Sequence, residues 1–213
     1  MRTVRTKIYR FNELSQQAKD RAREEYLQNE DFYWIIEEAT ASLKKFADIF
    51  NVEWRQIYYQ EPYRNEYRVN VPDNAKDLTG QRLATYIWNN YRNDIFRGKY
   101  YGKLVNTHKD GTPIEKSKEH PAGLRHVLRY SRCQMSNDCV LTGVCYDYDI
   151  LDPIYKFLEK PTKGPTLADL INRCINSLCK SVSSEIEANM EEEAVSEHFE
   201  ANDYEFTADG RRF

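Results

Sequence analysis

Between residues 31 and 50 the apolar side chains recur at intervals of three and four: Phe32, Ile35, Ile36, Ala39, Leu43, Phe46, Ala47 and Phe50. That period places them on one broad stripe of an α-helix, which water tolerates only when other elements cover it. A longer stripe follows Thr166, with Asp169 three residues on as a weaker form of the capping box; it runs through Leu170, Ile171, Cys174, Ile175, Leu178, Val182, Ile186 and Met190. Past Met190 the stripe fades into acidic residues, so the helix either leaves the core or breaks there.

Shorter patterns supply the rest. Residues 4 to 11 alternate with β-branched and aromatic members and read as a strand. Ser15 is the N-cap of a short helix whose apolar face, Ala18, Ala22, Tyr26 and Leu27, is thin enough to pack closely through small residues. The segments NVEWRQIYYQ and NEYRVNV, joined by Glu61-Pro62-Tyr63, predict a hairpin. Thr79 caps a further helix through Leu83, Ile87, Tyr91 and Ile95, and DYDILDPIYKFLEKP reads as a helix stopped by Pro161. Residues 97 to 123 are loop-like, HVLRYSRCQM fits a strand or a helical turn, and YEFTADGRRF resembles a tiny hairpin turning at Asp209-Gly210.

Together these predict an α+β fold: a small antiparallel sheet from the N-terminal, central and pre-Cys139 strands, packed with several helices and a long C-terminal helix. At 213 residues the chain suits one domain, 1–213, with an acidic C-terminal segment, 181–213.

The net charge of −3 conceals an asymmetry. Residues 181–213 hold ten carboxylates against Arg211 and Arg212, a net −8, and the remaining chain carries +5. Such polarity either steers a basic partner to one end or lets the two ends attract each other. Tyrosine is abundant, at 16 residues. Its ring packs in a core while its hydroxyl stays wet, and the same properties suit a binding face. No apolar run approaches a membrane span, the N-terminus lacks a signal peptide's apolar stretch, and the five cysteines are odd in number. Reduced thiols, no membrane and a cytoplasmic setting are the corresponding expectations.

The residues that could carry chemistry fit structural roles better. Cys133, Cys139 and Cys145, with His120 and His126 upstream, match no usual zinc spacing, and Cys174 and Cys179 lie on a helical stripe, as core thiols do. Asp147, Asp149 and Asp152 invite a divalent metal, but carboxylates at a helix start are already explained by its dipole, and the calcium-loop glycine and distal glutamate are missing. No phosphate-binding glycine loop, nucleophile elbow or zinc-protease pair is present. The interleaved FRGKYYGK and RHVLRYSR segments suit a nucleic-acid backbone, yet the chain as a whole is acidic. No catalytic, cofactor-binding or metal residue is therefore assigned, and the expectation is a non-enzymatic protein without a cofactor.

The stretches KIYRFNELSQQAKDRAREEY, at residues 7–26, and FEANDYEFTADGRRF, at 199–213, supported by residues 139–161, resemble small bacteriophage and prophage proteins, some of them labelled antitoxin-like. The resemblance implies an accessory protein that binds and disables a host factor, as anti-CRISPR and other anti-defence proteins do. The expected function is inhibition by occupancy of a bacterial protein or ribonucleoprotein, a CRISPR effector or another defence nuclease, in the host bacterial cytoplasm. The alternatives are an antitoxin or regulatory partner, and an enzyme acting on nucleic acid or nucleotide. The expected contact residues are Glu191, Glu192, Glu193, Glu197, Asp203, Glu205, Tyr100 and Tyr101. Direct nucleic-acid binding is the weaker reading, and the long helix permits a homodimer.

Overall fold

A computed structural model describes residues 6–96 and 139–213. The loop reading of 97–123, the element predicted just before Cys139, and the candidates Tyr100 and Tyr101 lie outside the described residues.

The class is α+β, with helices dominant. Among the described residues the order is β1 (Tyr9–Arg10), α1 (Gln16–Asn29), α2 (Tyr33–Phe50), β2 (Val52–Gln56), β3 (Glu66–Val69), α3 (Gly80–Ile95), α4 (Tyr146–Glu159), α5 (Leu167–Met190), α6 (Glu192–Ala201) and β4 (Glu205–Phe206). The stripe on α2 is core: Ile35, Ala39, Leu43, Phe46, Ala47 and Phe50 are all buried. On α5, Leu170, Ile171, Cys174, Ile175, Leu178, Val182 and Ile186 are likewise buried, while Met190 is exposed at the helix end. There the helix breaks. Glu191 adopts extended φ and ψ of −62° and 151°, and α6 restarts with Val195 and Phe199 buried.

Caps follow the local chemistry. Ser15 Oγ accepts the Ala18 amide at 3.4 Å. The Thr166 amide donates to the Asp169 carboxylate at 2.9 Å, and the Asp169 amide donates back to Thr166 Oγ1 at 3.3 Å, a reciprocal box. Thr79 occupies the cap position of α3, but its side chain makes no capping bond.

The described strands do not form one sheet. Among the described residues β1 pairs antiparallel with β4, Tyr9 opposite Phe206 and Arg10 opposite Glu205, while β2 and β3 pair only with each other. The expected joining of N-terminal and central strands is therefore corrected. The N-terminal strand is only two residues long before the chain enters a 3-10 turn at Phe11–Glu13, and it takes its partner from the C-terminal segment. The hairpin reading of β2 and β3 is right, with Glu53 opposite Arg68 and Trp54 opposite Tyr67.

The chain divides into two compact units. One, here the terminal unit, contains Met1–Thr40, Tyr58–Asn65 and Leu178–Phe213. The other, the central unit, contains Ala41–Ile57 and Glu66–Ser177. In the terminal unit Phe11, Leu14, Ala18, Ala22, Val195, Phe199 and Phe206 form one buried cluster, flanked by Tyr9, Tyr26, Leu27 and Tyr204. In the central unit the Phe46 and Phe50 rings stand 4.7 Å apart, Phe50 meets Tyr91 at 4.6 Å, and Tyr155 donates its hydroxyl to the Ile95 carbonyl at 2.5 Å.

Candidate functional site

The terminal unit gathers most of the charged and aromatic side chains singled out by the sequence. Its assembly begins with small residues on α1. Ala18 and Ala22 leave room for the C-terminal hairpin, and Gly210 approaches so closely that a Cβ there would stand 2.1 Å from the Ala18 carbonyl oxygen. Gly210 also has φ of 86°, a left-handed conformation that glycine adopts without the Cβ penalty. The hairpin closes through the Gly210 amide on the Thr207 carbonyl at 2.9 Å and the Phe213 amide on the Glu205 carbonyl at 2.8 Å.

Ion pairs join the two ends of the chain. Arg10 pairs with Asp203, Arg21 with Asp209 at 3.1 Å, and Arg23 with Glu192 at 3.0 Å. Of the two readings of the charge asymmetry, attraction between the ends therefore accounts for part of the acidic segment. The Arg10–Asp203 and Arg21–Asp209 pairs are exposed and screened by water, whereas the Arg23 side chain is mostly covered; the apolar cluster beneath them is the stronger adhesive. The Thr207 hydroxyl, with Arg211 and Arg21 nearby, holds the Asp209 carboxyl below the usual carboxylate range.

This placement sorts the predicted contact residues. Glu192 and Asp203 are internal ion-pair partners, and Glu205 faces Arg10 across the β1–β4 ladder. Glu191, Glu193 and Glu197 are exposed and make no ion pair among the described residues. Glu200, which the sequence reading counted as acidic but did not select, is also exposed. On α6, residues 193, 197 and 200 are spaced four and three apart, so their carboxylates share one face while Val195 and Phe199 are buried.

Beside the C-terminal end of α1 lies a cleft of about 220 Å³. Tyr26, Phe199, Tyr204 and Phe206 supply its aromatic walls, and Glu25, Glu30 and Arg212 supply charge. Phe199 holds the walls together: its ring lies 5.3 Å from Tyr26, 5.4 Å from Tyr204 and 5.2 Å from Phe206. The Arg212 guanidinium sits over the Tyr204 ring at 3.9 Å. Burial, reinforced by Glu30, pushes the Tyr26 hydroxyl up to about 12. Sequence reasoning missed this cleft because its walls come from residues about 170 positions apart, which no local period connects.

The metal reading of the aspartates gives way to two local roles. Asp147 is completely buried; one carboxylate oxygen accepts the amides of Leu141, Thr142 and Gly143 at 2.9, 2.7 and 3.0 Å. The other accepts the hydroxyls of Ser42 and Thr142 at 2.6 and 2.8 Å. Asp152 pairs with Lys156 at 2.8 Å one turn along α4. Among the described residues no three His, Cys, Asp or Glu side chains are grouped to hold a metal. Cys174 and Cys179 are buried as their stripe predicts, and burial pushes both thiols up. No helix among the described residues is long and apolar enough to cross a membrane. The chain matches no known family, no curated protein and no solved structure.

Proposed function

We propose that the protein is a binding protein of phage origin that disables a bacterial defence factor, a nuclease or ribonucleoprotein effector, by occupying its basic surface with the acidic face of α6. The observation that carries this reading is the row of Glu193, Glu197 and Glu200, exposed at helical spacing without ion pairs among the described residues, while nearby Glu192 and Asp203 are paired internally. Like charges four apart destabilise a helix by about 0.2–0.5 kcal/mol per pair, and a basic partner reverses the sign of that term. A groove that binds nucleic acid offers such a partner, because it is already built to receive regularly spaced negative charge. The phage resemblance of residues 7–26 and 199–213 supports the setting, and these are stretches that build the terminal unit.

The test is capture from nuclease-treated bacterial lysate, followed by assay of the captured factor. The wild type retains a basic effector and blocks its nucleic-acid binding at equimolar dose, and the Glu193→Gln/Glu197→Gln/Glu200→Gln variant weakens that block about tenfold or more. Equal inhibition by the variant, or capture that requires intact nucleic acid, overturns the proposal.

A further inference from the structure

The aromatic cleft beside the end of α1 shows an imbalance independent of the α6 face. Its charged lining is two carboxylates, Glu25 and Glu30, and one guanidinium, Arg212. Neither carboxylate has an ion pair among the described residues; Glu30 accepts the Phe32 amide at 3.2 Å. Glu25 and Glu30 also stand at the C-terminal end of α1, where the backbone dipole adds negative potential. The hollow is lined by the half-buried rings of Tyr26 and Tyr204, with Phe199 buried behind them, and an aromatic ring attracts a cation without a counter-charge. The fold already contains one such contact, because the Arg212 guanidinium sits over the Tyr204 ring at 3.9 Å.

We propose that this cleft is a binding site for a guanidinium group, the arginine side chain of a protein partner, held against the Tyr26 ring by the carboxylates of Glu25 and Glu30. A guanidinium fits better than an ammonium for two reasons: its planar face stacks on a ring, and its forked donors match a carboxylate edge to edge. The volume of about 220 Å³ is room for one side chain rather than a folded element. The site does not depend on the identity of any partner of α6, so it stands or falls separately.

The probe is Nα-acetyl-arginine N-methylamide, titrated into the full chain while the ring resonances of Tyr26 and Tyr204 are followed by NMR. Its neutral isostere, the citrulline derivative, has nearly the same shape without the charge. The arginine probe produces a saturable shift of both rings, and the citrulline probe binds about tenfold more weakly or worse. Glu25→Gln/Glu30→Gln retains an oxygen for the Phe32 amide, leaves the fold intact as judged by unchanged resonances elsewhere, and weakens the arginine probe by a similar factor. Equal affinity for the two probes, an unchanged affinity in the double variant, or no saturable shift overturns the proposal.

Discussion

Ser42 on α2 donates its hydroxyl to the Asp147 carboxylate of α4 at 2.6 Å, and both side chains are wholly buried. The bond joins positions 105 apart in sequence. A buried carboxylate is tolerated here because five donors meet it: three amides of residues 141–143 and two hydroxyls.

Asp147→Ala removes the shared acceptor of three backbone amides and two hydroxyls and should cost about 3 kcal/mol or more, whereas Ser42→Ala removes one donor of five and should cost about 1 kcal/mol. Urea midpoints of the two variants measure the difference. Similar losses in both would show that the loop amides find other partners, against the central role of Asp147.

Gly210→Ala tests how the chain ends are held. The new Cβ meets the Ala18 carbonyl and the φ of 86° disfavours alanine, so the variant should lose at least about 2 kcal/mol in the terminal unit. Hydrogen exchange at the amides of Thr207 and Phe213 should accelerate, while Ala208→Ser, at an exposed neighbour, should leave both unchanged.

Alkali should destabilise the fold through tyrosine. Tyr59 is buried and shares a hydrogen bond of 2.9 Å with Thr40; burial pushes its hydroxyl up to about 12 from the ordinary 10.0. The folded-state value lies above the unfolded one, so the neutral side chain's contribution is fully present below pH 10 and disappears as pH rises towards 12. Between pH 9 and 11 the wild type should therefore lose more stability than Tyr59→Phe. A parallel decline in both would assign the alkaline limb to other groups.

Thiol accessibility should follow burial. Cys145 is exposed at the start of α4, and Cys174 and Cys179 are buried with thiols pushed up. Brief alkylation of the native protein, read by peptide mass spectrometry, should modify Cys145 and spare the other two until denaturant is added. Native labelling of Cys174 would contradict its place in the core.

The helices before α6 were legible because each carries its own signal within a few turns. The stripes on α2 and α5, the Ser15 cap, the Thr166–Asp169 box and the Asp209-Gly210 turn depend on neighbours in sequence, and they appear where spacing predicts them. The break at Glu191 was visible only as a fading stripe, and α6 was harder to read because its buried face is as short as Val195 and Phe199.

The pairing of β1 with β4, the burial of Asp147 and the aromatic cleft were decided by tertiary structure alone. A two-residue strand has too few positions to reveal its partner, and an aspartate at a helix start has the same sequence signature whether its carboxylate faces water or five donors. The charge excess of residues 181–213 was fixed by composition, but its division was not. Contact between the chain ends neutralises Glu192, Asp203 and Asp209, while Glu193, Glu197 and Glu200 remain on the solvent face of α6, because ion pairing depends on distances of a few ångströms that sequence spacing does not encode.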